Sequence, residues 1–280
     1  VSAFGPELEP LTELSPGIRR LLAPNPSMMT GPGTNTYLFG TSEIAVLDPG
    51  PIIESHLDTI QRVAAAPIRW ILVTHTHPDH SPAAMALAMA TGAELIGIPA
   101  PAGEHQDMTF RPDRVPADGD EFVVDDVAIT AVHTPGHASN HVCFLHAANN
   151  WLFTGDHVID GSTVVINPPD GNMKQYIESL RKVKALQCAA LAPGHGDLIR
   201  DPDSVVDWIV DHRLEREAKV LAALRENPGL STHDLVPHVY KDVDSKLFGL
   251  AERSLLAHLI KLDEDGRAAI TNDRWHLLAE

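Results

Sequence analysis

Thr74-His75-Thr76-His77-Pro78-Asp79-His80 follows directly on the apolar run 68–73 and leads through Ser81 and Pro82 into the helix-favouring run 83–90. The apolar run is expected to form a strand covered on both faces. Ser81 offers an N-cap, with Pro82 at the first helical position. The order is therefore strand, histidine-rich loop, helix, with His75, His77, Asp79 and His80 crowded at the strand mouth. Imidazole and carboxylate together suit a borderline divalent cation such as Zn²⁺. Gathering them at a strand end without an ion would carry a desolvation cost that a merely polar loop has no reason to bear.

Three further segments repeat the pattern of a strand ending on a ligand-type side chain. His133-Thr134-Pro135-Gly136-His137 presents His137 in a tight turn, Phe153-Thr154-Gly155-Asp156-His157 ends on a carboxylate, and Ala192-Pro193-Gly194-His195-Gly196 flanks a histidine with glycines. One histidine at a strand end means little, but four strand ends converging on one sheet edge make a site. Around them, short apolar runs alternate with helical patterns over about the first 210 residues, as in a layered α/β domain. Two hairpins are expected, 35–39 with 44–47 and 121–124 with 127–133, together with strands at 142–145 and 151–154 and a final strand ending at Leu191. Helices are expected at 53–66 and at 173–186, the latter with Asn172 and Gln175 in capping-box spacing.

From 203 the pattern becomes helical and highly charged and stops at Asn227-Pro228-Gly229. Helices at 232–240 and 245–262 and a hairpin of 268–271 with 275–278, turning at Asn272-Asp273, complete a winged-helix module. The expected domains are thus 1–210 and 211–280. Net charge is −17, and residues 201–280 carry ten Lys and Arg against sixteen Asp and Glu, a poor match to a nucleic-acid-binding face. Along the helix 245–262, Leu247, Leu250, Leu255, Leu256 and Leu259 give an apolar face. Asp242, Asp244, Glu252, Asp263, Glu264 and Asp265 outnumber Lys246, Arg253 and Lys261. The module is expected to shape an active-site wall or a dimer contact rather than to read nucleic acid. Cys143 and Cys188 lie in apolar segments and read as buried spectators, so a reducing cytoplasm fits best. Residues 1–10 have neither the basic start nor the apolar stretch of a signal peptide, and no apolar run reaches bilayer length.

His-x-His-x-Asp-His followed by Thr-Pro-Gly-His, Thr-Gly-Asp and Pro-Gly-His-Gly resembles the metallo-β-lactamase superfamily. A closer resemblance, carried by Thr30-Gly31-Pro32-Gly33-Thr34-Asn35-Thr36-Tyr37, by Thr154-Gly155-Asp156-His157-Val158 and by Asn167-Pro168-Pro169-Asp170-Gly171, is to the β-lactamase-like protein 2 family. That family joins such a hydrolase domain to a C-terminal winged helix and includes a mitochondrial endoribonuclease acting on single-stranded RNA. The resemblance implies an α/β fold, an αββα sandwich, with a site along one edge. It also implies two divalent ions, here zinc: His75, His77 and His137 on the first, Asp79, His80 and His195 on the second, and Asp156 bridging. Two ions ~3.5–4 Å apart lower the pKa of a shared water, whose bridging hydroxide is the expected nucleophile. Asp79 would then orient that water or take its proton.

Among the remaining residues, His141 and Asn167 are candidates for supporting a ligand or touching substrate, and His133 and His157 for orienting ligands. The other eight histidines read as surface or packing residues, and Lys174, Arg181, Lys182 and Lys184 as a solvated helix face. The reaction class is metal-dependent hydrolysis. Single-stranded RNA is one substrate; a small carbonyl compound such as a thioester, lactone or other ester is the alternative. A β-lactam is disfavoured, since Asp156 is untypical of that branch, and so is a non-catalytic scaffold, since every ligand position is filled. The expected partners are that substrate and a second copy of the chain in a homodimer, with no membrane.

Overall fold

The computed structural model describes residues 11–103, 105–241 and 243–278, so the reading of 1–10 and of Asp242 lies outside the described residues. The chain divides into two compact units. The first comprises residues up to His133 with 140–162 and 188–202; the second comprises 134–139, 163–187 and the chain from Asp203.

The first unit carries two mixed sheets. One orders β1 (Leu11–Ser15), β2 (Ile18–Leu22), β3 (Asn35–Phe39), β4 (Ile44–Leu47), β5 (Ile68–Leu72) and β6 (Glu94–Ile96) in sequence order. The other runs from β7 (Glu121–Val124) through β8 (Val127–His133), β9 (Val142–His146) and β10 (Trp151–Gly155) to β11 (Ala190–Pro193). Period-two alternation sorts each strand between two cores. Tyr37 and Phe39, Ala45 and Leu47 face the other sheet, where they meet Ile129, Ala131, Phe144 and Phe153. Leu38, Ile44 and Val46 face the opposite way and pack with Ile60 of α1 (Glu54–Ala64) and with Ala84 and Leu87 of α2 (Ala83–Thr91). Both expected hairpins form. That of β7 and β8 turns through Asp125 and Asp126, each at positive φ, as a tight two-residue turn requires.

Two local expectations need correction. β5 is not apolar throughout: Arg69 is exposed, its Nε pairing with Glu43 at 2.9 Å, and Trp70 is half-buried, so Ile68, Ile71 and Leu72 are the sealed positions of this strand. Ser81 does not cap α2. Pro82 occupies the position before the helix, and the Ser81 hydroxyl is committed to the carboxylate of Asp107 at 2.8 Å.

In the second unit, α3 (Met173–Ala185) is capped as its sequence suggests, Asn172 Oδ1 accepting from the Gln175 amide at 2.9 Å. α4 (Pro202–Glu226) is the long charged helix; α5 (Thr232–Val239) and α6 (Phe248–Glu264) follow, the latter entered through one 3-10 turn, Ser245–Leu247. β12 (Ala268–Thr271) and β13 (Arg274–Leu277) pair across Asn272 and Asp273, both at positive φ. Their core joins Val220 and Leu224 of α4, Leu235 and Val239 of α5, Leu255 and Leu259 of α6, and Trp275. No helix among the described residues is long and apolar enough to cross a membrane.

Candidate metal centre

Parallel pairing places chemistry at the carboxyl ends of neighbouring strands. β4 and β5 run parallel with Leu47 opposite Leu72, so the residues that follow, Asp48 and the loop from Val73 to His80, emerge side by side. β10 and β11 are likewise parallel, with Gly155 opposite Pro193, which sets Asp156 beside His195. The result, within the first unit, is two overlapping groups. His75, His80 and Asp156 each offer a ligand atom within 4.8 Å of one another, and so do Asp79, His80 and His195. His77 joins through its Nδ1, 2.9 Å from His75 Nε2.

Close approach explains the glycines. A Cβ on Gly194 would stand 2.7 Å from His80 Cε1 and 2.9 Å from Asp156 Oδ1. Gly155, at φ +47°, would bring a Cβ within 2.5 Å of Thr74 Oγ1. Neither position admits a side chain unless the cluster moves.

The ring orientations are fixed from outside the cluster by a residue that the sequence reading missed. Asp48, itself buried, accepts from His80 Nδ1 at 2.9 Å, from the Thr74 amide at 2.8 Å and from Thr74 Oγ1 at 2.7 Å. This leaves His80 Nε2 directed at Asp156 Oδ1 (3.3 Å) and Asp79 Oδ2 (3.5 Å). Leu47-Asp48-Pro49-Gly50 reads in the sequence as ordinary turn chemistry; the only signal was its place after an apolar strand parallel to the ligand strand. His195 is oriented in the same manner, its Nδ1 lying 3.2 Å from the Gly33 carbonyl, with Nε2 3.2 Å from Asp79 Oδ2 and 3.3 Å from Asp156 Oδ1. A ligand imidazole anchored through its second nitrogen is the usual arrangement around a bound metal.

The electrostatics fit a cation. Burial pushes the carboxyls of Asp79 and Asp156 up, but His80 and His195 more than reverse this and hold both well below the ordinary carboxylate range. Burial likewise opposes charge on His195, yet Asp156 and Asp79 carry its pKa up to about 10. The two carboxylates thus form a negative well that retains protons on neighbouring imidazoles, and a divalent ion competes for the same well. The donor set, four imidazoles and two carboxylates in the first unit, matches what such ions take.

The remaining candidates are placed as follows. His137 lies in the second unit, in the segment 134–139, its Nδ1 held by the Val165 carbonyl at 2.7 Å. His141 is buried and stacked on His75 with ring centres 5.0 Å apart. His157 is buried, 6.0 Å from His141 between ring centres. His133 is tied to the Pro116 carbonyl by its Nε2 and to the Asp118 carboxylate by its backbone amide, both at 2.9 Å. Asn167 belongs to the second unit, where its carbonyl closes a turn on the Gly171 amide at 2.9 Å. Of the eight remaining histidines, His56, His146 and His258 are buried, and His56 contacts Thr36 Oγ1 at 3.0 Å. Cys143 is buried as expected, whereas Cys188 is partly exposed.

Comparison with known proteins settles the family. Residues 29–195 match the metallo-β-lactamase superfamily, and residues 231–275 match the β-lactamase-associated winged helix domain. The chain belongs to the metallo-β-lactamase superfamily. Among superfamily members, a beta-lactamase-like protein 2 homolog from Drosophila melanogaster is 31% identical over 279 residues, spanning 93% of this chain and 92% of that protein. An atrochrysone carboxyl ACP thioesterase from Aspergillus fumigatus is 34% identical over 224 residues, spanning 79% and 69%. A beta-lactamase domain protein from Burkholderia ambifaria has the same fold, with a TM-score of 0.80 at 20% identity over 99% of this chain and 96% of that one. The chain is therefore a superfamily hydrolase with the metallo-β-lactamase fold and a C-terminal winged helix.

Proposed function

We propose that this enzyme hydrolyses a small thioester or related carbonyl substrate at a two-zinc centre. His75, His77 and His137 would hold one ion, Asp79, His80 and His195 the other, with Asp156 between them. When bound, the ions would supply Lewis acidity toward the carbonyl and acidify water. The chain's own residues do the rest. Asp79, 26% exposed in its side chain against 15% for Asp156, is the more accessible of the two carboxylates, which supports assigning it the proton from attacking water. Asp48 fixes the His80 tautomer, and His141, buried against His75, acts as a positioning residue. Asn167 and the turn to Gly171 are assigned to a substrate-facing wall.

The observation that carries the carbonyl reading over RNA is the charge of the winged helix. Of the three cations Lys246, Arg253 and Lys261, the last is engaged by Glu217 and Asp265, both at 2.7 Å, which leaves Lys246 and Arg253 against the exposed Asp244, Asp263 and Glu264. A face that neutralises so few phosphates cannot hold an extended polyanion at physiological salt. The relationship to a protein named as a thioesterase supports the same reading.

The test is to present zinc-loaded enzyme with benzoyl-N-acetylcysteamine thioester and, separately, with a single-stranded RNA 20-mer. Thioester turnover that disappears in Asp156→Ala, with the RNA left intact, is the expected outcome. Cleavage of the RNA without thioester turnover would reverse the assignment.

A further inference from the structure

The second unit contains a cavity of about 210 Å³ that the metal chemistry does not use. Segment 163–166 forms one wall; Arg213 and Arg216 of α4, Tyr240 at the end of α5, and Leu247, Leu250 and Ser254 around the start of α6 form the others. Most of the lining is aliphatic, and Leu247 and Leu250, 44% and 40% exposed, stand at its mouth.

Arg213 is the anomaly. In the sequence it lies in a run of charged helix residues, yet it is turned inward and only 4% exposed. Its guanidinium donates to the Val164 carbonyl and lies over the Tyr176 ring, 5.6 Å from the centre, but its Nε is buried and makes no hydrogen bond. Among the described residues no carboxylate pairs with it. The buried acid one turn away, Glu217, is committed to Lys261 at 2.7 Å and Arg267 at 3.2 Å, and Asp265 to Lys261 at 2.7 Å and Lys174 at 2.9 Å. Arg216 adds positive charge on the same wall, its guanidinium 4.4 Å above the Tyr240 ring. Buried His258 reports the local field: burial first, then Arg213, Lys261 and Arg216, push its pKa down to about 3.

A desolvated cation without a counterion, with an unmade N–H bond beside an apolar hollow, is costly by itself. A carboxylate reaching the guanidinium recovers that cost through charge-assisted bonds of a geometry arginine favours. An apolar cavity of ~150 Å³ already admits benzene, so the space here accommodates a ring together with its acid group. A dianion such as phosphate would leave surplus charge among the aliphatic groups. We propose that this cavity binds an apolar monocarboxylate, with its acid group on Arg213 and its aryl or branched body between Val164, Leu247 and Leu250. The site stands independently of the substrate assigned to the metal centre. Its wall nevertheless includes Val165, whose carbonyl anchors His137, so occupancy bears on a ligand's support.

Calorimetry on the whole 280-residue chain, zinc-loaded, provides the test, with benzoate and its neutral isostere benzamide as probes and ¹H–¹⁵N spectra of the arginine Nε–H groups as a second readout. Benzoate should bind at least tenfold more tightly than benzamide and shift one buried Nε–H resonance. Leu250→Trp or Ser254→Trp, each filling the cavity, should abolish binding with zinc content unchanged; whichever variant folds decides. Equal affinity for the two probes would overturn the proposal, as would absence of binding at millimolar benzoate. Binding that survives the filled cavity would do the same, since the carboxylate would then be sitting on zinc.

Discussion

Replacing Asp48 by Asn keeps shape and volume while removing one acceptor and one charge. Asp48 serves three donors: the Thr74 amide on Oδ1, and Thr74 Oγ1 and His80 Nδ1 on Oδ2. An amide has a single acceptor oxygen. With that oxygen in the Oδ2 place, its NH₂ opposes the Thr74 amide and strands a buried donor. In the flipped orientation the NH₂ faces His80 Nδ1, which must then accept, moving the proton to Nε2, the atom required for metal. The first arrangement costs ~1–3 kcal/mol for the stranded group, and the second removes His80 as a ligand. At about 1.4 kcal/mol per decade, zinc at the Asp79, His80 and His195 group should bind 10–100-fold more weakly in Asp48→Asn. Competition with a chromophoric chelator measures this, and circular dichroism verifies that the fold persists. Zinc affinity within twofold of the unaltered protein would show that Asp48 does not control His80, and the reasoning would fail.

Elemental analysis after zinc equilibration should find two ions per chain, and Asp156→Ala should lose both along with turnover; a variant retaining two ions would place the bridge elsewhere. Gly194→Ala should weaken zinc at least tenfold with an intact fold, because the new methyl stands 2.7 Å from His80 Cε1; unchanged affinity in the same chelator assay would count against the packing argument. His258 has a folded pKa of about 3, below its value of ~6.5 in an unfolded chain, so the unfolded state binds the extra proton between those limits. Its contribution is complete above pH ~6.5 and shrinks as pH falls toward 3, by up to ~1.4 kcal/mol per unit. Urea midpoints of the zinc-free protein should accordingly fall less steeply with acid in His258→Leu; parallel profiles for the two proteins would refute it.

The cluster of ligand-type side chains was legible because its residues sit in short motifs at strand ends, where the chain order of strand, loop and helix shows in hydropathy. Asp48 was not legible: it stands alone in a Leu-Asp-Pro-Gly turn, and only the parallel register of β4 and β5 brings it to His80. Ser81 carried the right residue type for a cap, but a tertiary bond to Asp107 outbid the local one. Over α4 the sequence shows a helical, highly charged pattern and no more. The pattern could not say that Arg213 and Glu217, four residues apart, share an inward face, since both types are ordinarily solvated. The turns at Asp125-Asp126 and Asn272-Asp273 were plainest in the sequence, because adjacent Asp or Asn residues tolerate the left-handed backbone that two-residue turns demand.

His80 follows a strand of one sheet and Asp156 a strand of the other, which gives any ion held between them a mechanical role as well as a chemical one. Such an ion is a reversible cross-link, closing a loop of some seventy-five residues across the sandwich. By the chain-entropy rule for cross-links, a loop of that length is worth on the order of 4 kcal/mol. Sheet separation and ion loss are then one event: chelation loosens the interior packing, and partial unfolding releases the ions. The durability of a hydrolase built this way would consequently track the free concentration of whichever ion it holds, so that scarcity of the ion shortens the protein's lifetime as well as silencing its chemistry.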